Sequence, residues 1–146
     1  MRRLVLLSLL FSSLWLAAAP IRSAQRDACV DFRSKNLPPE GERARFTAYI
    51  ELPKAYISGV CILVNDEGLI KGSLFNEFGV SALDFTYNPE RKKVKLHHVM
   101  KMMDKWYIRY VLRKDLAQLM QRLQQGETSY ENQRRHIKYT LIKLKE

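Results

Sequence analysis

The 146 residues of this chain leave room for one domain and exclude a second large one. Its 25 Lys and Arg residues outnumber the 15 acidic residues, so the formal net charge is +10 at pH 7. This balance favours encounter with anionic partners, and a solvated charged surface is the alternative explanation of the same composition.

Residues 1–24 have the pattern of a secretory signal peptide. Arg2 and Arg3 form a charged start, and the apolar residues 4–19 end in three alanines. We expect cleavage between residues 19 and 24; retention of the segment as an N-terminal anchor is the alternative. Three basic and no acidic residues lie in residues 1–24, so the remaining chain carries a net charge of +7. Export disfavours nucleic acid as a partner and favours the headgroups and polymers of a cell envelope.

Residues 25–42 form an N-terminal arm and a linker in front of the packed domain, which we place at residues 43–146. Residues 37–41 contain two prolines and a glycine, and a regular element cannot cross such a segment. The chain is therefore expected to have one folded domain after an irregular arm.

The two cysteines, Cys29 and Cys61, fall in the arm and in a predicted strand. In an oxidising compartment they can form a disulfide bridge; otherwise Cys61 is a small apolar residue of a buried strand. Acylation of Cys29 is a weaker alternative, because Arg26 and Asp27 precede it where a lipid-attachment signal needs apolar and small residues.

Glycines and turn residues divide the next part of the chain into strand-length apolar runs. Residues 56–65 are apolar on both faces, so we expect a central strand that is covered on both sides. The predicted strands comprise residues 43–52, 56–65, 69–78, 80–88 and 93–99.

The apolar period changes from 2 to 3.6 in residues 104–125, which predicts a long amphipathic helix. Asp104 is the expected N-cap and Gly126 the residue that ends the helix. Alternating residues in 135–145 predict a last strand that rejoins the sheet. These elements predict an α+β fold in which one helix covers an antiparallel sheet.

Aromatic and basic residues interleave at the start of this helix. Trp and Tyr rings flanked by Lys and Arg favour a boundary between apolar and charged surroundings. The expected anionic-surface site consists of Lys105, Trp106, Arg109, Arg113 and Lys114. The alternative is that Trp106 and Tyr110 pack beneath neighbouring loops.

Residues with catalytic or metal-binding chemistry are scattered. His97 and His98 are neighbours on a predicted strand and point to opposite faces, so we expect a solvent-facing His97 and a half-buried His98. Asp84, Glu77 and Asp104 have no partner at catalytic spacing. We therefore predict no enzyme activity, no metal and no cofactor.

The block ISGVCILVNDEGLIKGSLFNEFGVSALDFTYNPERKKVKL, followed by MDKWYIRYVLRKDL, resembles small exported bacterial proteins related in pattern to the outer-membrane lipoprotein carrier and receptor, LolA and LolB. The resemblance covers residues 46–123 and is a pattern of strands and glycines. It implies a curved, half-closed antiparallel barrel with helical cover, in the periplasm or at the outer membrane of a Gram-negative bacterium. It also implies an apolar cavity for an acyl chain, with a wall formed by Ile62, Val64, Leu74, Phe78, Leu83 and Phe85.

Two functional hypotheses follow. The first is a protein that binds the acyl chain of a lipid or lipoprotein, in lipoprotein or lipid trafficking. The second is a basic envelope module with a solid core, which docks on an anionic surface or an acidic protein partner. A void of several hundred Å³ beside Leu74 and Leu83 would favour the first hypothesis.

Overall fold

Five strands follow one another along the chain and pair in order through short turns. The structure, a computed structural model, describes residues 36–145. The five strands are β1 (Arg43–Leu52), β2 (Ala55–Asp66), β3 (Leu69–Asn76), β4 (Ser81–Asn88) and β5 (Lys93–Val99). A short 3₁₀ turn, Lys101–Met103, leads to the helix α1 (Trp106–Gln125), and β6 (Ser129–Asn132) and β7 (Ile137–Lys143) complete the fold.

The last strand returns to the first one. β7 pairs antiparallel with β1, with Ala48 opposite Leu141 and Ile50 opposite Tyr139, and β6 extends the sheet beyond β7. The order is β5-β4-β3-β2-β1-β7-β6, and the sheet curls into a half-barrel. The α+β fold, with its curved antiparallel sheet, single long helix and C-terminal strand, is confirmed.

The β2–β3 hairpin shows why turn residues locate these strands. Glu67 and Gly68 form its two-residue loop between the paired residues Asp66 and Leu69, and both loop residues have positive φ, 52° and 77°. Such loops match the twist of the two strands, and glycine adopts positive φ without a steric penalty. The turn expected at this glycine is therefore confirmed.

The core lies between the inner face of the sheet and α1. Alternate residues of β1, β2 and β3 point inward, and fully buried side chains come from both layers, among them Phe46, Leu63, Leu83, Met120 and Leu123. Gly72 on β3 leaves room for the ring of Phe85 on β4, which lies directly opposite it in the register. The helix stripe predicted from the 3.6-residue period is the stripe that is buried.

The residue predicted to end α1 is confirmed, whereas the residue predicted to cap its start is wrong. The N-cap is Lys105, without a side-chain capping bond, so the prediction of Asp104 in this position is wrong. The Asp104 carboxylate instead accepts a hydrogen bond from Arg109 Nη1 at 2.6 Å. Gly126 ends the helix in the left-handed conformation at φ 96°, as expected.

The outer face of the sheet faces away from α1. β2 is the fourth of seven strands, which confirms its central position. Within residues 36–145, however, no element covers its outer face: Val60 is 39% exposed, and Ile62 and Val64 are half-buried. The expected cover on both sides is therefore absent from the part of the chain that the structure describes.

Candidate functional site

The six residues expected to form one cavity wall lie on three different surfaces. Leu74, Leu83 and Phe85 point inward and are buried under α1. Ile62 and Val64 have the opposite parity on β2, because Cys61 is the residue that pairs with Leu74, and they lie on the outer face. A wall composed of all six residues is therefore corrected to an inner set and an outer set.

Phe78 belongs to neither set. β3 ends at Asn76, whose side-chain Oδ1 accepts hydrogen bonds from the backbone N–H groups of Phe78 and Val80 at 3.0 and 2.9 Å. These bonds form a tight turn before β4, and Phe78 at its tip is 88% exposed. The prediction that β3 extends to residue 78 is wrong for this reason.

The space between sheet and helix is small. An apolar gap of about 20 Å³ lies among inner residues that include Cys61, Leu74, Phe85, Leu116 and Met120. It is close to the size of one water molecule, whereas ligand pockets have volumes of roughly 300–1,000 Å³. In this arrangement the inner residues pack against one another as a core.

A larger recess, which we call the basic groove, is lined by residues of β3, β4 and β5 and by two residues of α1, which packs beside β5. Its volume is about 620 Å³. Six cationic side chains line it: Lys71, Arg91, Lys93, Lys95, Arg109 and Arg113. His97, Thr86, Asn88 and three apolar residues complete the lining, and none of the described residues that line it is acidic.

Two of these cations have carboxylate partners. Lys71 Nζ lies 2.5 Å from Asp66 Oδ2, and Arg109 Nη1 lies 2.6 Å from Asp104 Oδ1. The hydrogen bond that Lys71 donates to the Asp66 carboxylate raises the pKa of Lys71. Within residues 36–145, the other four cations of the groove have no ion-pair partner, so they are available to an anionic ligand.

Exposed aromatic and apolar side chains adjoin the groove at the start of α1. Trp106 is 82% exposed and Met102 is 80% exposed, so the alternative that Trp106 packs beneath a loop is wrong. The rings of Trp106 and Tyr107 meet edge to face, with centroids 5.9 Å apart. Lys114 Nζ lies 4.5 Å from the centroid of the Tyr110 ring, and its bond to the hydroxyl lowers the pKa of Tyr110.

The structure brings together part of the expected anionic-surface site. Arg109 and Arg113 line the basic groove, whereas Lys105, Trp106 and Lys114 lie outside its lining. The site predicted from the sequence did not include Arg91, Lys93 and Lys95, which also line the groove. The alternation of Lys93, Lys95 and His97 on one face of a predicted strand was the pattern that could have identified them.

The two histidines have similar exposure. His97 and His98 are both exposed, so the half-buried position predicted for His98 is wrong. The register shifts here: Asp84 pairs with His98 and Phe85 with Leu96, which leaves His97 as the extra residue of a bulge. His97 Nε2 lies 2.8 Å from Thr86 Oγ1. In residues 36–145 no three His, Cys, Asp or Glu residues are grouped closely enough to hold a metal ion.

Cys61 is buried on the inner face, and within residues 36–145 it has no disulfide partner. Burial raises its pKa to about 12. Cys29, and residues 1–24 with the expected cleavage region, lie outside the described residues. The Cys29–Cys61 bridge therefore stays a prediction, and it would require the arm to reach the side of β2 that packs under α1.

Asp115 is a buried carboxylate that sequence reasoning missed. It lies on the core side of α1, and its two oxygens accept hydrogen bonds from Tyr139 Oη at 3.0 Å and from Asn132 Nδ2 at 2.8 Å. Burial raises its pKa above the ordinary value of 3.8, although both hydrogen bonds act in the opposite direction. With both oxygens bonded inside the fold, this carboxylate has a structural role.

Comparisons of the chain with protein-family models, with curated proteins and with solved structures found no match. The similarity to the LolA and LolB proteins thus remains a hypothesis based on strand and glycine pattern. Over the described part of the chain, no helix combines the length and the apolarity of a membrane span.

Proposed function

We propose that this protein is a non-enzymatic, exported interaction module that docks on the anionic lipid surface of a cell envelope through the basic groove and the start of α1. The observation that carries the proposal is the groove itself, a recess of about 620 Å³ lined by six cationic side chains. A compact core, with a gap of about 20 Å³ under the helix, fits a protein that binds at its surface.

The cations are arranged in two rows that face one recess. Lys93 and Lys95 lie two residues apart on the edge strand β5, which separates them by about 7 Å along the strand. Arg109 and Arg113 lie four residues apart on α1, about 6 Å along its axis. Two rows at this spacing allow several phosphate groups of a lipid surface to be contacted at once.

The exposed side chains beside the groove suit the boundary between headgroups and acyl chains. Trp106 and Tyr107 carry amphipathic rings, and Met102 adds an exposed apolar side chain. Trp and Tyr partition to membrane interfaces, while neighbouring Lys and Arg bind anionic headgroups with about 1 kcal/mol each. The same end of the protein therefore offers both kinds of contact.

The direct test is sedimentation of the protein with vesicles of phosphatidylcholine, with and without phosphatidylglycerol. The variant K93A/K95A removes two groove cations, and K54A/K138A removes two exposed lysines that do not line the groove. At about 1 kcal/mol per cation, we expect K93A/K95A to weaken binding about 30-fold. The matched control is expected to change it only slightly.

Equal losses in the two variants would mean that net charge alone attracts the protein, and the proposal would then be wrong. Binding should also fall steeply as salt is raised, because salt screens exposed charges. Binding to phosphatidylcholine alone with the same affinity would equally contradict the proposal.

Acyl-chain binding is the second candidate function, and the curled sheet under a single helix is the observation that favours it. An acyl chain would have to enter between Leu74 or Phe85 on the sheet and Met120 on the helix, so α1 would have to move outward. Delipidated protein titrated with a fluorescent fatty-acid analogue tests this function. Saturable, salt-independent binding supports it, and the absence of saturable binding excludes it.

A further inference from the structure

The outer face of the sheet contains a second recess, which we call the outer groove. It has a volume of about 470 Å³ and lies on the side of the sheet opposite α1. Ile62, Val64 and Phe75 form its apolar floor, and Ser73 and Lys71 line one side. These apolar side chains belong to two adjacent central strands, β2 and β3, where a partner layer is normally expected.

One end of the outer groove holds an unsatisfied polar atom. Asn65 binds the segment before β1 through three hydrogen bonds: from its N–H to Glu42 O at 3.1 Å, from Gly41 N–H to its own carbonyl at 2.9 Å, and from its Nδ2 to Pro38 O at 3.0 Å. Its Oδ1 is buried, and among residues 36–145 it has no hydrogen-bond partner. Buried acceptors are rarely left unpaired, so a further donor is expected at this end of the groove.

The described part of the chain begins beside this end. Asn36 lies only two residues before Pro38, so the residues that precede it start within reach of the groove. Residues 25–35 alternate in character: Ala28, Val30 and Phe32 are apolar, and Asp31 and Arg33 between and after them are charged. In an extended segment this alternation places the apolar side chains on one side.

We propose that residues 25–35 lie extended along the outer groove, with Val30 and Phe32 against Ile62, Val64 and Phe75. Eleven extended residues span about 36 Å, enough to follow most of the twelve-residue strand β2. A backbone N–H of the last arm residues then donates to Asn65 Oδ1. Cys61 is buried on the inner face of the sheet, so an arm on the outer face and the Cys29–Cys61 bridge predicted from the sequence exclude each other.

The test uses the full-length protein, expressed in its host cell and purified after export. All variants also carry Cys29→Ser. Phe32→Cys is combined with Ser73→Cys in the outer groove, or with Gln118→Cys, an exposed position on α1 at the opposite side of the sheet. After mild oxidation, we expect a monomeric disulfide for the pair 32–73 and none for the pair 32–118. Non-reducing electrophoresis and intact mass distinguish these products.

Disulfide-linked dimers of the 32–73 variant would mean that a second copy occupies the groove. No bridge in either variant, or equal bridging in both, would mean that the arm lies elsewhere. Each of these results overturns the proposal.

A second measurement does not depend on introduced cysteines. The variant V30S/F32S is expected to uncover the outer groove, so that Nile red emission rises and the Tm falls while the circular dichroism of the sheet is retained. The matched variant D31N/R33Q changes the side chains that face away, and it should leave both readouts unchanged. Unchanged Nile red emission in V30S/F32S would contradict the proposal.

Discussion

Tyr139 Oη donates a hydrogen bond to Asp115 Oδ2 at 3.0 Å, and this bond joins the last strand of the sheet to the middle of the helix. Asn132, at the end of β6, donates to the other carboxylate oxygen at 2.8 Å. Asp115 is 2% exposed. A carboxylate at such a depth is tolerated because both of its oxygens are hydrogen-bonded.

Removal of the Tyr139 hydroxyl should therefore destabilise the protein. Tyr139→Phe retains the ring but leaves Asp115 Oδ2 without its donor, and a hydrogen bond to a charged group contributes about 1.5–3 kcal/mol. We expect a loss of this size in the free energy of unfolding, measured in urea. Tyr130→Phe is the control, because its ring stacks on Tyr139 at 6.2 Å and keeps its packing; a similar loss there would contradict the assigned role of the bond.

Because the pKa of Asp115 is raised, we expect the stability of the protein to depend on pH. A carboxyl group whose pKa is higher in the folded state contributes stability below its unfolded value, here 3.8, and this contribution is lost as pH rises through the folded pKa. The unfolding free energy of Asp115→Asn, relative to that of the wild type, should therefore increase as pH rises from about 3 to about 7. A flat difference between the two proteins would show that the folded pKa is not raised.

The buried thiol of Cys61 should be unreactive in the folded protein. Its pKa is raised to about 12, so almost no thiolate is present at neutral pH, and the packing around it excludes reagents. We expect unreduced, folded protein to react with an aromatic disulfide reagent at one thiol, Cys29, and at a second thiol only after unfolding. No reactive thiol in either state would establish the Cys29–Cys61 bridge.

Gly72 should be needed for the packing of Phe85. A Cβ atom at this position would overlap the far end of the Phe85 ring, so Gly72→Ala forces the ring out of place. We expect a loss of about 1–3 kcal/mol in the free energy of unfolding. Phe85→Leu removes the ring, so the double variant should lose less stability than the sum of the single variants. Strict additivity would mean that the two residues do not interact.

Trp106 reports directly on the proposed docking surface. It is the single Trp of the chain after residue 24, and it is 82% exposed. The emission maximum of a chain that begins at residue 25 should be that of a hydrated indole and should shift to shorter wavelength on anionic vesicles. Trp106→Ala is expected to weaken vesicle binding without a change in Tm, because few contacts hold the side chain in the fold. An unshifted emission at saturating vesicle concentration would exclude insertion of this residue.

Local pattern was sufficient to predict most of the elements. Residues 43–52 alternate strictly between apolar and polar, and β1 has the same bounds. The Glu67–Gly68 turn and Gly126 mark element ends because their backbone conformations favour glycine. By contrast, the end of β3 depends on the Asn76 side chain, which binds the turn, and apolar periodicity does not report such a bond.

Contacts between distant parts of the chain were beyond sequence reasoning. The pairing of β7 with β1 and the four-residue strand β6 follow from tertiary packing, and β6 has no apolar alternation of its own. The basic groove could not be predicted from the sequence for the same reason. Alternation in residues 93–99 is enough to place Lys93 and Lys95 on one face of a strand, and the helix pattern places Arg109 and Arg113 on a basic surface. Only the placement of β5 beside α1 brings the two pairs together.

The position of β7 beside β1 also constrains when this chain can finish folding. The first five strands can pair with their neighbours as soon as they are synthesised, but one edge of β1 stays open until residues 138–143 are present. Contacts between such distant residues form slowly, because a long loop must close first. A chain that is synthesised from its N-terminus therefore keeps this strand edge unpaired until residues 138–143 have left the ribosome.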